Sequence, residues 1–536
     1  MKNRLVLLGI LSLCFLFFGA CEIEPFDQTH RTYEESVRPV IFTGQTATVS
    51  FENLNRNDIF LVKVNTSGVV VDAANTGRVH GIYSSSEDID TPEELSMESL
   101  PQLGHHPIAR KFNANPPPIA AEALNKPRSA SFPRFTAPSV GDTRQFYVEA
   151  YLGSSNWLSR QATLRAVGRH ANIWVMDENF SPTINFGNRI TAAQARSLAE
   201  RFDRIHPLAT NILGFEFGGQ PGCPGWPGGV DGDPRIQILI YDIVDASGQT
   251  AAAGYFWAKD FFTQEELDAA SWNVRTNLAE IFYLDASILN TNPDFMYSTL
   301  IHELQHMINF NVKFLRHGVA SPVWYDEMLS MMTEDIIAPL IGIPATSRDH
   351  IIQHRTPRFL RHYADAGITE WRTDSLSNTL NSYANGFAFG AFLLRNFGGA
   401  NLLRRILANN TVGIASISLA LIEVSQGMTF ERALARYGEA LIFSGRAVPE
   451  GVLTLDRTTT STVNGVTYTA FAFNIWNMFR MGGGMGPYFF DLAPRAMRPH
   501  SISIHSTSAW RNRSGDFSIT LERPDNANVA FYLMVR

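Results

Sequence analysis

The sequence predicts a multidomain α+β protein, and three observations carry that prediction. At 536 residues the chain exceeds one ordinary domain, so two or three units are expected. Short β-like runs crowd both ends, such as "TATVSF" and "IFLVKV" near 41–80 and "FSITLE" and "VAFYLMV" near the C-terminus. Between 293 and about 445, apolar residues recur with a helical period instead. The composition, 45% hydrophobic and 18% charged, supplies enough apolar material for real cores. A formal net charge of −7 without any long basic run argues against nucleic acid as a partner.

The chain opens with a targeting pattern. Lys2 and Arg4 precede an apolar run, Leu5 to Phe18, of fourteen residues. That is too short for a membrane helix, which needs about 20, and suits a secretory leader. Phe18-Gly19-Ala20-Cys21 resembles a bacterial lipobox, which implies a lipidated Cys21, a membrane attachment through it and a place at the cell envelope. A cleaved leader on a secreted protein is the alternative. With Cys14 in the leader and Cys21 lipidated, Cys223 is left without an internal disulfide partner.

The expected organisation is a leader over 1–20, a tether over 21–40 and an N-terminal β domain with linker over 41–140. A central domain over 141–445 and a C-terminal β domain over 446–536 follow. The linker is placed by "NANPPPIAAEALNKPRSASFPRFTAPSVGD", rich in Pro and Ala. Strands resume with "RQFYVEAYL", "ATLRAVG" and "NIWVMD". A helix then opens at Thr191, a residue suited to cap it. "RIQILIYDIV" and "AEIFYLDAS" read as strands before the long helical stretch. After 450 the pattern returns to short β segments, including "PYFFDL" and "SISIHS".

The chemistry gathers in "STLIHELQHMINF", Ser298 to Phe310. Asn292 can cap this helix, Pro293 suits its first turn and Asp294 complements its dipole. Leu300, Leu304, Met307 and Ile308 form one apolar face, and His302 and His306 lie opposite it. Imidazoles at i and i+4 can converge on one metal ion. Glu303 is badly placed as a third ligand but can reach a water bound to that metal and take its proton. Residues 302–306 thus form an HExxH motif.

Catalytic zinc usually needs a third protein ligand. The next helix, "SPVWYDEMLSMMTEDIIAP", is expected to begin with Ser321 as its cap and Pro322 in its first turn. Tyr325, Leu329, Met332 and Ile336 form its core stripe, and Glu327 and Glu334 both point away from it. Either carboxylate can supply the ligand. Asp231 and Asp233 sit in a Gly-rich loop where calcium is conceivable, but two acids do not support a site, and a turn before a strand is the simpler reading.

HExxH followed, after twenty intervening residues, by a helical Glu resembles the gluzincin metallopeptidases. Trp324-Tyr325-Asp326-Glu327 is similar to the W-x-x-E of aminopeptidase-like gluzincins, and Glu327-Met328-Leu329-Ser330 to the E-x-x-S of thermolysin-like ones. The combination, over roughly 160–445, most resembles the hyicolysin family of bacterial neutral metallopeptidases. The resemblance implies a thermolysin-like catalytic domain with a β-sheet N-terminal lobe and a helical C-terminal lobe. It implies one zinc ion on His302, His306 and Glu327, Glu303 as general base, and protein or peptide substrates. Tyr383, in a Y-x-x-G with Gly386, resembles the catalytic Tyr of aminopeptidase-like members. His317, His354 and His362 are its rivals. Two features depart from the pattern. Met331 stands where thermolysin-like members place an Asp that orients a ligand histidine, so Glu334 or Asp335 must substitute. The G-x-M-E-N exopeptidase motif is absent from the sequence, which points to an endopeptidase. An aminopeptidase, and a catalytically inactive adhesin on a peptidase-like fold, are the alternatives.

Overall fold

The computed structural model describes residues 31–82, 106–118, 136–217, 229–524 and 528–536. The leader, Cys21 and Cys223 lie outside the described residues. Where the sequence predicts a tether up to residue 40, the chain already forms a short helix, α1 (Tyr33–Ser36), and a strand, β1 (Val37–Pro39).

The two ends of the chain build shared sheets rather than two separate modules. From the N-terminal side come β1, β2 (Thr46–Asn57), β3 (Ile59–Asn65) and β4 (Arg78–Val79). The strands β13 (Ile502–His505), β14 (Arg513–Glu522) and β15 (Val529–Val535) come from the other end. One sheet runs β1-β15-β3-β13 and the second β2-β14-β4. Phe51, Leu54, Ile59, Leu61, Leu521, Phe531 and Leu533 are buried between them. The alternating residues of β3, Phe60, Val62 and Val64, join the main core on the other side, so β3 is buried on both faces. "PYFFDL" and "GVVVDA" form only single bridges, Phe490 to His505 and Val71 to Met497, rather than strands.

A short helix, α2 (Pro107–Ala114), runs up to the Pro/Ala-rich stretch expected to be linker and takes in its first two residues, Asn113 and Ala114. The central region then begins with β5 (Thr143–Glu149), β6 (Trp157–Val167) and β7 (Ala171–Met176). Helix α3 (Ala192–Leu213) follows, with Thr191 and Gln194 forming a capping box. The strands β8 (Ile236–Tyr241), β9 (Gly254–Phe256) and β10 (Ile281–Asp285) complete a six-stranded sheet ordered β5-β6-β7-β8-β10-β9. Strand β9 runs antiparallel to β10 and forms one edge.

The helical part begins with α4 (Pro293–Asn309) and α5 (Val323–Ile337), followed by α6 (Ile351–His362) and α7 (Leu376–Asn396). It continues with α8 (Ala400–Ala408), α9 (Gly413–Val424) and α10 (Phe430–Phe443), after which β11 (Thr459–Val463) and β12 (Val466–Ala470) form a hairpin. Helix α4 lies between β9, α3 and α5. Its cap is Asn292, whose side chain accepts from the Phe295 amide. The expected stripe of α5, Tyr325, Leu329, Met332 and Ile336, is wholly buried. Each such side chain contributes about 1.5–3 kcal/mol. Helix α7 crosses α5 closely because Gly390 leaves room there; a Cβ would sit 2.6 Å from Met332 Cγ. The expected cap Ser321 is one residue too far upstream. Pro322 stands at the start of α5 without a side-chain cap bond, and Ser321 Oγ instead accepts from Asn309 Nδ2 at 2.9 Å. The molecule is thus a mixed α+β, multidomain chain.

Candidate metal centre

Helix α4 is buried on every side, so its histidines are not the solvated face of a surface helix. His302 is 4% exposed and His306 8%. Their rings stand nearly perpendicular, at 79° with centroids 4.7 Å apart. His302 Nε2 lies 3.1 Å from Glu327 Oε2, and His306 Nε2 lies 3.6 Å from the same oxygen. One ligand atom from each of the three residues falls within 4.8 Å of the others, a cluster able to hold a metal ion. Two imidazoles and a carboxylate match the donor set of a borderline-soft divalent metal such as zinc.

The outward nitrogens of both rings are held by carboxylates. Glu334 Oε1 stands 2.7 Å from His302 Nδ1 and Asp326 Oδ2 stands 2.9 Å from His306 Nδ1. An Nδ1–H donated to a carboxylate fixes the tautomer that leaves Nε2 with its lone pair. Of the two substitutes expected for the missing Asp, Glu334 is in place. Asp335 is spent on a buried ion pair with Arg395, at 2.6 and 3.1 Å. Asp326 escaped the sequence reading, although it stands directly before Glu327 on the same helix. Ser330 lies beside His306, 3.2 Å from its Nδ1, and also donates to Gln305.

Burial opposes charge on the imidazoles, yet hydrogen bonds to Glu327 and Glu334 hold His302 up at about 9. Burial likewise lowers His306, while Asp326 and Glu327 outweigh it and raise the ring well above its usual range. Burial would push Glu327 up, but Arg110 and the two histidines hold it well below the carboxylate range. Burial raises the Glu303 carboxyl, with His302 and His306 only partly offsetting it. Glu303 Oε2 accepts from the Phe256 amide of β9 at 2.7 Å. That bond ties the acid of α4 to the sheet edge beside it.

Tyr383 on α7 is fully buried. It reaches the cluster through Arg110 of α2, whose guanidinium donates to the Tyr383 hydroxyl and pairs with Glu327 Oε1 at 2.8 Å. The rivals serve elsewhere. His317 lines a separate cavity with His206, His354 packs edge-on against Phe295, and His362 pairs with Asp365 at 2.8 Å. In the Gly-rich loop, Asp231 accepts from the Asp233 amide and Asp233 from the Arg235 amide, both at 3.0 Å, as turn-forming aspartates do.

Two converging imidazoles, a carboxylate as the third candidate ligand and a buried acid beside them define the class of site found in metal-dependent hydrolases. Residues 154–455 match the Peptidase M30 family. The chain is also 30% identical over 260 residues to the neutral metalloprotease ShpI of Staphylococcus hyicus, covering 46% of this chain and 50% of that protein. The chain therefore spans about half the length of the curated relative it matches. With more than half of its residues inside the family match, the chain belongs to the peptidase M30 family.

Proposed function

We propose that this chain is a zinc-dependent endopeptidase held at the bacterial cell envelope through a lipidated Cys21, hydrolysing peptide bonds in protein substrates. The observation that carries the reading is the convergence of His302 Nε2, His306 Nε2 and Glu327 Oε2, with Glu303 buried alongside. His302, His306 and Glu327 would hold the ion, with Glu334 and Asp326 fixing the two imidazoles. A bound zinc ion supplies a lowered pKa for coordinated water and polarises the scissile carbonyl.

Glu303 is the proton carrier. Its Oε2 is fixed by the Phe256 amide, which leaves Oε1 to accept a proton and return it to the leaving amine. Burial raises its pKa above the ordinary carboxylate range, which makes the carboxylate a better proton acceptor. Tyr383 would donate to the developing oxyanion. The family match and the ShpI similarity support peptide hydrolysis, and the missing exopeptidase motif supports internal cleavage. Among the described residues no helix is long and apolar enough to cross a membrane, so the proposed attachment rests on Cys21.

The test is zinc content and casein cleavage by the purified full chain. Stoichiometric zinc, lost in Glu327→Ala, together with cleavage lost in Glu303→Gln, is the expected result. A protein that takes up no zinc, or whose most active form cleaves no faster than Glu303→Gln, would overturn the reading. Release of single N-terminal residues from short peptides would reassign it to an aminopeptidase.

A further inference from the structure

Helix α2 covers the metal cluster, and its side chains take the places a substrate needs. It is anchored at both ends. At its start, His106 caps it through the Ala109 amide and lies 2.5 Å from Glu149, both residues buried. Near its end, Phe112 is fully buried between Phe262 and Trp272, with ring centroids 5.6 and 4.8 Å away.

Two polar side chains of α2, Arg110 and Asn113, face the cleft. Arg110 lies between Glu327 and the Tyr383 hydroxyl, over the rings of Tyr383 and Trp371 at 5.0 and 5.2 Å. Its Nε–H is not aimed along a straight hydrogen bond, so the pair with Glu327 is an electrostatic contact. Asn113 faces strand β9. Its amide donates to the Phe256 carbonyl at 3.2 Å and accepts from the Ala258 amide at 2.9 Å. The Phe256 carbonyl belongs to the edge strand and the Ala258 amide follows it directly, so Asn113 occupies backbone groups that an extended peptide adding to this edge would pair with. The cavity left among Arg110, Asn113, Glu303, His306 and Glu327 is about 30 Å³. That admits a water molecule and excludes a peptide.

We propose that α2 is an internal inhibitor. The chain is latent while Arg110 bridges Glu327 and Tyr383 and Asn113 occupies the β9 edge, and it becomes competent when α2 leaves the cleft. The inference rests on the peptidase reading for what the cleft does, but not for whether the cleft is covered. An eight-residue helix is not stable alone in water, so α2 keeps its form through docking and can be released by weakening its anchors.

The experiment uses the full chain loaded with zinc, as wild type, Arg110→Ala, Asn113→Ala and Phe112→Ala. Phe112 packs against Phe262 and Trp272 and is not part of the cleft lining, so its variant loosens α2 while keeping the groups in the cleft. Three readouts are compared: affinity for a fluorescent peptide hydroxamate, amide exchange over 254–260, and casein cleavage. All three substitutions are expected to raise hydroxamate affinity and exchange at least tenfold, with cleavage rising in step. If wild type binds the hydroxamate as tightly as the variants, the cleft is open and the proposal falls. If Arg110→Ala lowers cleavage while zinc and folding are unchanged and Phe112→Ala does nothing, Arg110 is a positioning residue and the proposal falls. If the variants gain hydroxamate binding and exchange yet cleave no better than Glu303→Gln, latency stands and the peptidase reading fails. Should Arg110→Ala lose its fold, Phe112→Ala and Asn113→Ala decide the matter.

Discussion

Two histidine–glutamate clusters occupy the central region, and among the described residues only one brings its ligand atoms together as a metal ion requires. In the first, His302 and His306 meet at 79°, and both Nε2 atoms face one oxygen of Glu327. In the second, His170 and His206 stack nearly parallel, at 13° with centroids 4.0 Å apart. His206 Nε2 lies 2.7 Å from Glu216, and His206 Nδ1 has no hydrogen-bond partner among the described residues. Parallel rings do not aim their nitrogens at one point, and one carboxylate cannot orient two imidazoles. The difference teaches that residue types do not make a site. Convergence of the ligand atoms does, with an orienting acid behind each ring.

The comparison can be broken or sharpened by measurement. The largest effect belongs to Glu303. In the Phe112→Ala background, Glu303→Gln should lower casein turnover by about 10²–10⁴-fold with zinc retained. Zinc lost together with turnover would instead make Glu303 part of the metal's hold. Next come the carboxylates around the rings. Chelator competition should find that Glu327→Ala no longer holds zinc, and that Glu334→Gln and Asp326→Asn bind it roughly 10–100-fold more weakly. Glu216→Ala should leave zinc affinity unchanged; if it sheds the metal, the two clusters are not distinct in kind.

The smallest effect is the pH dependence of stability, which should run in opposite directions. In metal-free protein, His302 titrates at about 9 against 6.5 when unfolded. Its contribution is complete below 6.5 and fades as pH rises through about 9. His170 is pushed below 6.5, chiefly by burial and then by His206, so its contribution is present above 6.5 and fades on acidification. Thermal melts of His302→Ala and His170→Ala against the parent should show these opposite slopes. Zinc should flatten the first, because a ligating imidazole stays neutral.

Much of the centre was legible because it depends on local order. The cap at Asn292, the helical period through Leu300, Leu304 and Met307, and the i, i+4 histidines all lie within one helix. Glu334 was one of two substitutes named for the missing Asp, and its side of α5 follows from the stripe Tyr325–Leu329–Met332–Ile336. The cap of α5 was not legible. Ser321 has the right chemistry, but Asn309 claims its hydroxyl from another helix. Helix α2 was hidden by its setting among prolines and alanines. Its one local signal was a capping His106 followed by Pro107, in a short stretch between two segments that read as loop or linker.

By itself the sequence determined which helices form, which faces are apolar and which residues could ligate a metal, because hydrophobic period and capping act over a few residues. Only the tertiary structure brought Glu327, the carboxylate the motif resemblance favours, to the two Nε2 atoms and set Glu334 behind His302. Only it paired the strands of the two chain ends, and only it laid Arg110 across the cluster. Those contacts join residues from 21 to more than 400 positions apart. No local pattern encodes them, since they arise when separate apolar faces find one another.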